Sequence, residues 1–83
     1  MTTNYGIYIH TDEKEYKEYK EHWYGLAKAI DRVGFLKTCY NVKHIDIVDA
    51  CTDEVMITIE NGKVAYIAAE VAIRMYDELI AKK

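Results

Sequence analysis

The stretch Asp12-Glu13-Lys14-Glu15-Tyr16-Lys17-Glu18-Tyr19-Lys20-Glu21-His22-Trp23-Tyr24-Gly25-Leu26-Ala27-Lys28-Ala29-Ile30-Asp31-Arg32-Val33-Gly34 decides how this chain folds. Its large apolar residues are Tyr16, Tyr19, Trp23, Leu26, Ile30 and Val33, recurring at steps of three and four. That is the period of a helix with one buried stripe. The spacing predicts a single long helix from about Glu13 to Val33. Asp12 fits the N-cap, with Glu15 three residues on as in a capping box. Gly34 fits a left-handed C-terminal stop, with Phe35 folded back on Ile30. Gly25 then lies inside the helix at a cost of about 1 kcal/mol relative to alanine.

On either side of this stretch the pattern is that of strands. Asn4 to His10 alternates, with Tyr5, Ile7 and Ile9 on one face. Val42 to Asp49 is a β-branched run, Ala50 to Asp53 is a turn, and Glu54 to Glu60 alternates again. Asn61-Gly62 is a two-residue hairpin signal. It sets Glu60 opposite Lys63, Ile59 opposite Val64, Ile57 opposite Tyr66 and Val55 opposite Ala68.

From Ala69 to the terminal lysines the pattern is helical, with Glu70, Arg74, Asp77 and Ala81 on one wet stripe. Apolar residues cover most of the remaining circumference. A surface helix needs an apolar arc of little more than 100°. Either the long helix covers the excess or another subunit or partner does, with the oligomer interface expected at Val71, Met75 and Leu79.

The expected fold is therefore a single α+β domain over residues 1–83 with the order β-α-β-β-β-α. A mainly antiparallel four-stranded sheet carries two helices on one face.

Composition narrows the function classes. The chain has 83 residues, of which 51% are hydrophobic, and no proline, so it codes for a small globule. A formal charge of −3 gives no positive field for a nucleic-acid backbone, so no direct nucleic-acid binding is expected. The opening residues lack a basic head and an apolar run, and no apolar run is long enough to span a membrane. A cytoplasmic protein is expected, with Cys39 and Cys51 as reduced thiols.

Two clusters stand out as partner-binding candidates. One is aromatic, Tyr16, Tyr19, Trp23 and Tyr24, interleaved with Lys14, Lys17 and Lys20. A helix of this length runs about 31 Å. Strands of six or seven residues reach only ~20–23 Å, so the front of the helix overhangs the sheet. The other cluster is acidic, Asp46, Asp49, Asp53 and Glu54 around the second turn, and suits a basic partner. Cys39, His44 and Cys51 with His10 or His22 lack the paired spacing of a zinc site, so no metal is expected. The four glycines are scattered, with no phosphate loop and no cofactor implied.

Without its first strand, the order α-β-β-β-α resembles the double-stranded-RNA-binding domain. That family grips phosphates with lysines at the start of its last helix, where this chain has Ala68-Ala69-Glu70. The resemblance thus stops at element order.

The expectation is a non-catalytic, self-associating protein-binding module, an inhibitor, adaptor or regulatory protein of the kind encoded by phages and mobile elements. Its expected partner is a basic, nucleic-acid-handling protein. The alternatives are a small-molecule or nucleotide site at a dimer interface, and an RNA-binding domain.

Overall fold

The computed structural model describes residues 3–11, 18–39 and 42–81. Seven elements follow in order: β1 (Asn4–Thr11), β2 (Glu18–Tyr24), α1 (Leu26–Cys39), β3 (Val42–Asp49), β4 (Val55–Glu60), β5 (Lys63–Ile67) and α2 (Val71–Ala81). The strands form one antiparallel sheet in the spatial order β2-β1-β3-β4-β5, with the two helices on one side. The α+β class, the antiparallel sheet and the packed helices are as the sequence predicts.

The long helix is not. Its part from Glu18 to Tyr24 is an additional strand, so the order of the described elements is β-β-α-β-β-β-α and the sheet has five strands. The segment from Glu18 to Tyr24 satisfies two periods at once. Read at period two, Glu21 and Trp23 share a face and His22 and Tyr24 share the other. A bulge in the pairing at Ile7 and Tyr8 lets Tyr19 join the second set. Pairing along β1 decides between the two readings, because it satisfies a backbone edge that a helix would leave open. β1 then has neighbours on both sides, and Tyr5, Ile7 and Ile9 are fully buried. Gly25 marks the break between strand and helix. Its φ of 95° is incompatible with a helix interior, and its N–H donates to Thr3 O at 2.9 Å. The expected capping box at Asp12 and Glu15 lies outside the described residues.

The end of α1 also departs from expectation. Gly34 does not stop the helix, which runs on to Cys39. Leu26, Ala29, Val33 and Leu36 form the buried stripe, whereas Ile30 is turned outward. Burying a leucine is worth roughly 1.5–3 kcal/mol, more than the ~1 kcal/mol penalty of one helical glycine.

The hairpin turn is as expected, with Asn61 and Gly62 both at positive φ, 50° and 80°. Glu60 faces Lys63 and Ile59 faces Val64. Beyond that a bulge at Ala65 shifts the register, so Thr58 faces Tyr66 and Ile57 faces Ile67. Ile57, Ile59, Val64 and Ile67 share the helix side, while Tyr66 and Val55, expected opposite Ile57 and Ala68, turn to the other side.

α1 has no acidic residue in its first turn. Its leading N–H groups are capped from α2 instead: Leu26 N and Ala27 N donate to the Glu78 carboxylate at 2.7 and 3.1 Å. A carboxylate at this end of a helix satisfies both orphan donors and opposes the helix dipole. Replacing Glu78 by alanine should lower stability by about 1–2 kcal/mol in urea denaturation, with far-ultraviolet circular dichroism of the folded state unchanged.

Candidate functional site

The molecule presents two candidate surfaces, one on each side of the sheet. On the helix side, α1 packs over β1, β2 and β3, while neither helix makes substantial contact with β5. α2 lies across the strand ends, held by Arg74. Arg74 Nη1 donates to Asp49 Oδ2 at 2.7 Å and to the Tyr5 hydroxyl at 3.0 Å; Nη2 donates to Glu70 at 2.7 Å. The other Asp49 oxygen accepts from Cys51 N at 2.8 Å and so secures the β3–β4 turn.

This anchoring turns α2 around. Its inward face consists of Val71, Arg74, Met75 and Glu78, two apolar and two charged residues. Its outward face carries Ile73, Tyr76 and Ile80, which are 63%, 65% and 48% exposed. On the same side of the sheet, Val64 and Ile67 of β5 are more than half exposed. β5 is an edge strand with one row of backbone groups unpaired by the sheet.

Among the described residues, the opposite side of the sheet carries no helix. A single row crosses all five strands there, Tyr19, Tyr8, Asp46, Thr58 and Tyr66, each directly opposite the next. The Tyr8 and Tyr19 rings meet edge to face with centroids 5.5 Å apart, and His22 stacks near Tyr19 at 6.3 Å. The Tyr19 hydroxyl and His22 Nδ1 are hydrogen-bonded. These rings wall a hollow of about 130 Å³ whose floor includes Gly6, Val48 and Ala50.

A wider, open cleft of about 410 Å³ lies beside it, lined by His44, Asp46, Glu54, Val55, Thr58 and Tyr66. Its polar groups are engaged with one another. Asp46 Oδ1 accepts from Thr58 Oγ1 at 2.7 Å and lies 2.9 Å from His44 Nε2, while His44 Nδ1 faces Glu60 at 3.2 Å. Thr58 thus gives its proton to a carboxylate, and both nitrogens of His44 already face carboxylates. The four side chains form one connected polar cluster along the cleft.

The sequence-predicted partner-binding residues are dispersed by the fold. Tyr16 lies outside the described residues. Tyr19 and Tyr24 are exposed on the helix-free side, but Trp23 turns to the other side and packs against the core. There Trp23 Nε1 donates to Glu21, which also accepts from Arg32, and the Arg32 guanidinium lies over the Trp23 and Phe35 rings. The acidic cluster is split as well. Asp49 faces Arg74 and Asp46 faces the opposite side, both buried, leaving only Asp53 and Glu54 exposed at the turn. In α2, Val71 and Met75 serve the chain's own core and are not an outward surface, and the side chain of Leu79 lies outside what the structure describes. The outward stripe has the same helical spacing one residue or so around the helix. Only the position of Arg74 distinguishes them, and its partners are distant in sequence. Tyr8 and Tyr66 carry no sequence signal of their own beyond strand alternation.

Comparison with protein-family models, with curated proteins and with solved structures gives no match. Among the described residues, no helix is long and apolar enough to cross a membrane.

The Asp49 and Glu21 carboxyls have shifted acidities. Burial pushes the Asp49 carboxyl up, but its hydrogen bonds from Arg74 and Cys51 N outweigh this and hold it below the usual range. The Arg32 hydrogen bond lowers Glu21, outweighing its burial, with Trp23 assisting. A carboxyl depressed in the folded state stabilises it above the unfolded pKa and loses that contribution as pH falls through the folded value. Wild-type stability should therefore fall as pH drops below about 4. An Asp49→Asn variant should be less stable at neutral pH and show a shallower acid slope, as read from urea midpoints across a pH series.

Proposed function

We propose that this chain is a small non-catalytic protein-binding module that self-associates through α2 and β5. The observation that carries the reading is the apolar outer face of α2: Arg74 and Glu78 point inward to Asp49 and α1, while Ile73, Tyr76 and Ile80 are exposed. A helix normally turns its apolar stripe to the core. A domain that uses charged residues inside and leaves isoleucines outside has a surface suited to a partner.

A second copy is the occupant that best suits this surface. β5 is an exposed edge, and antiparallel pairing of two β5 strands about a two-fold axis would satisfy both rows of free backbone groups. The same operation brings the apolar residues of the two β5 strands together on the helix side. The working role is that of a cytoplasmic inhibitor, adaptor or regulatory subunit. The expected preference for a basic partner is supported by Asp53 and Glu54 alone, since Asp46 and Asp49 are satisfied internally.

Light scattering coupled to size exclusion should give twice the chain mass for the wild type. Ile73→Glu and Val64→Lys should each give monomers whose circular dichroism is unchanged. A wild type that stays monomeric at high concentration would refute self-association. So would Ile73→Glu and Val64→Lys variants that remain dimeric.

A further inference from the structure

On the helix-free side, we infer that the hollow between Tyr8, Tyr19 and His22 binds a guanidinium group. Its volume of about 130 Å³ admits one small planar group and is well short of a nucleotide site, which needs several hundred cubic ångströms. The space exists because residue 6 is glycine. A Cβ there would lie 3.3 Å from Tyr8 Cε1 and 3.6 Å from Tyr19 Cε1, between the two rings that wall the hollow.

The lining is rich in acceptors and aromatic rings. Asn4 contributes a side-chain oxygen that is buried and has no hydrogen-bond partner among the described residues. Asp53 adds an exposed carboxylate, carried on a turn residue with φ of 60°. Tyr8, Tyr19 and His22 add aromatic rings, and no lysine or arginine is among the described lining residues. Acceptors and π-faces together call for a cationic donor.

Between the two biological cations, guanidinium fits better. It is planar, more weakly hydrated than ammonium, and can lay its face on a ring while its edge donates to acceptors on more than one side. A donor seated against Asn4 would satisfy its buried oxygen, which is otherwise a costly orphan. The site is on the other side of the sheet from the α2 and β5 surface and is independent of it.

A guanidinium can belong to a free metabolite or to an arginine side chain, and titration followed by ¹H–¹⁵N spectra separates these sources. Methylguanidinium should produce saturable shifts at the amides of Gly6, Tyr19 and His22, and butylammonium should bind distinctly more weakly. An unstructured arginine-containing peptide that binds more tightly than methylguanidinium would place the group on a protein; equal affinity would place it on a small molecule.

Asp53→Asn keeps a residue that tolerates the left-handed turn and removes the charge. It should weaken binding roughly fivefold, the scale of one exposed charge pair. Gly6→Ala, which sets a methyl between the two rings that wall the hollow, should abolish the shifts while leaving the remaining spectrum in place. The assignment fails if methylguanidinium gives no saturable shifts, if butylammonium binds as well, or if Asp53→Asn binds with wild-type affinity.

Discussion

The contact between Arg74 and Asp49 is the constraint on which the rest of the arrangement depends. Asp49 ends β3 almost fully buried, and its two oxygens are divided between the following turn and the guanidinium from α2. A buried carboxylate without a cation would be strongly unfavourable, so α2 must bring Arg74 to that point. Tyr5, directly opposite Asp49 on β1, has its hydroxyl satisfied by the same guanidinium and its ring beneath it. One side chain thus joins α2 to the two central strands. The strong upward shift of the Arg74 pKa follows from its hydrogen bonds to Asp49, Tyr5 and Glu70.

The rotation of α2 is a consequence. With Arg74 and Glu78 pointing inward, residues three and four positions away must share that face, which brings in Val71 and Met75. Ile73, Tyr76 and Ile80 are left outside for geometric reasons, whatever their hydrophobicity. The helix is also placed over the strand ends, so the helix side of β5 stays bare. Polar anchoring in the core and an apolar exterior are therefore two results of the same contacts. Glu78 couples the helices further, since the N-terminus of α1 has its cap on α2 and not in its own sequence.

The helix-free face has a different origin. It exists because the polar and aromatic residues of one alternation are collected by antiparallel pairing into rows across the sheet. Each strand supplies one member to the row from Tyr19 to Tyr66, and bulges in β2 and β5 bring the outer two into line. Without the bulge in the β1–β2 pairing, Tyr19 would share the face of Glu21 and Trp23 and leave Tyr8 without its ring contact. The hollow beside this row, walled by rings and floored by Gly6, is a property of the paired strands together.

Local features of this chain are fixed by local chemistry and can be read residue by residue. Asn61-Gly62 forces a turn that only positive φ can make, alternation identifies β1 and β4, a β-branched run identifies β3, and the helical period over Leu26 to Val33 marks the first half of α1. From Glu18 to Tyr24 the residues fit both a helix and a strand. There the open edge of β1 made the choice, because unpaired backbone groups beside a buried strand outweigh a modest helical preference. Likewise Gly34 is a plausible helix stop until Leu36 finds a core to enter. Which side of α2 faces inward, and which carboxylates are buried, depended on meetings between residues 25 and 52 positions apart. Sequence alone determined the elements with one admissible period; tertiary structure decided every element with two, because burial and backbone pairing act between segments that no local pattern connects.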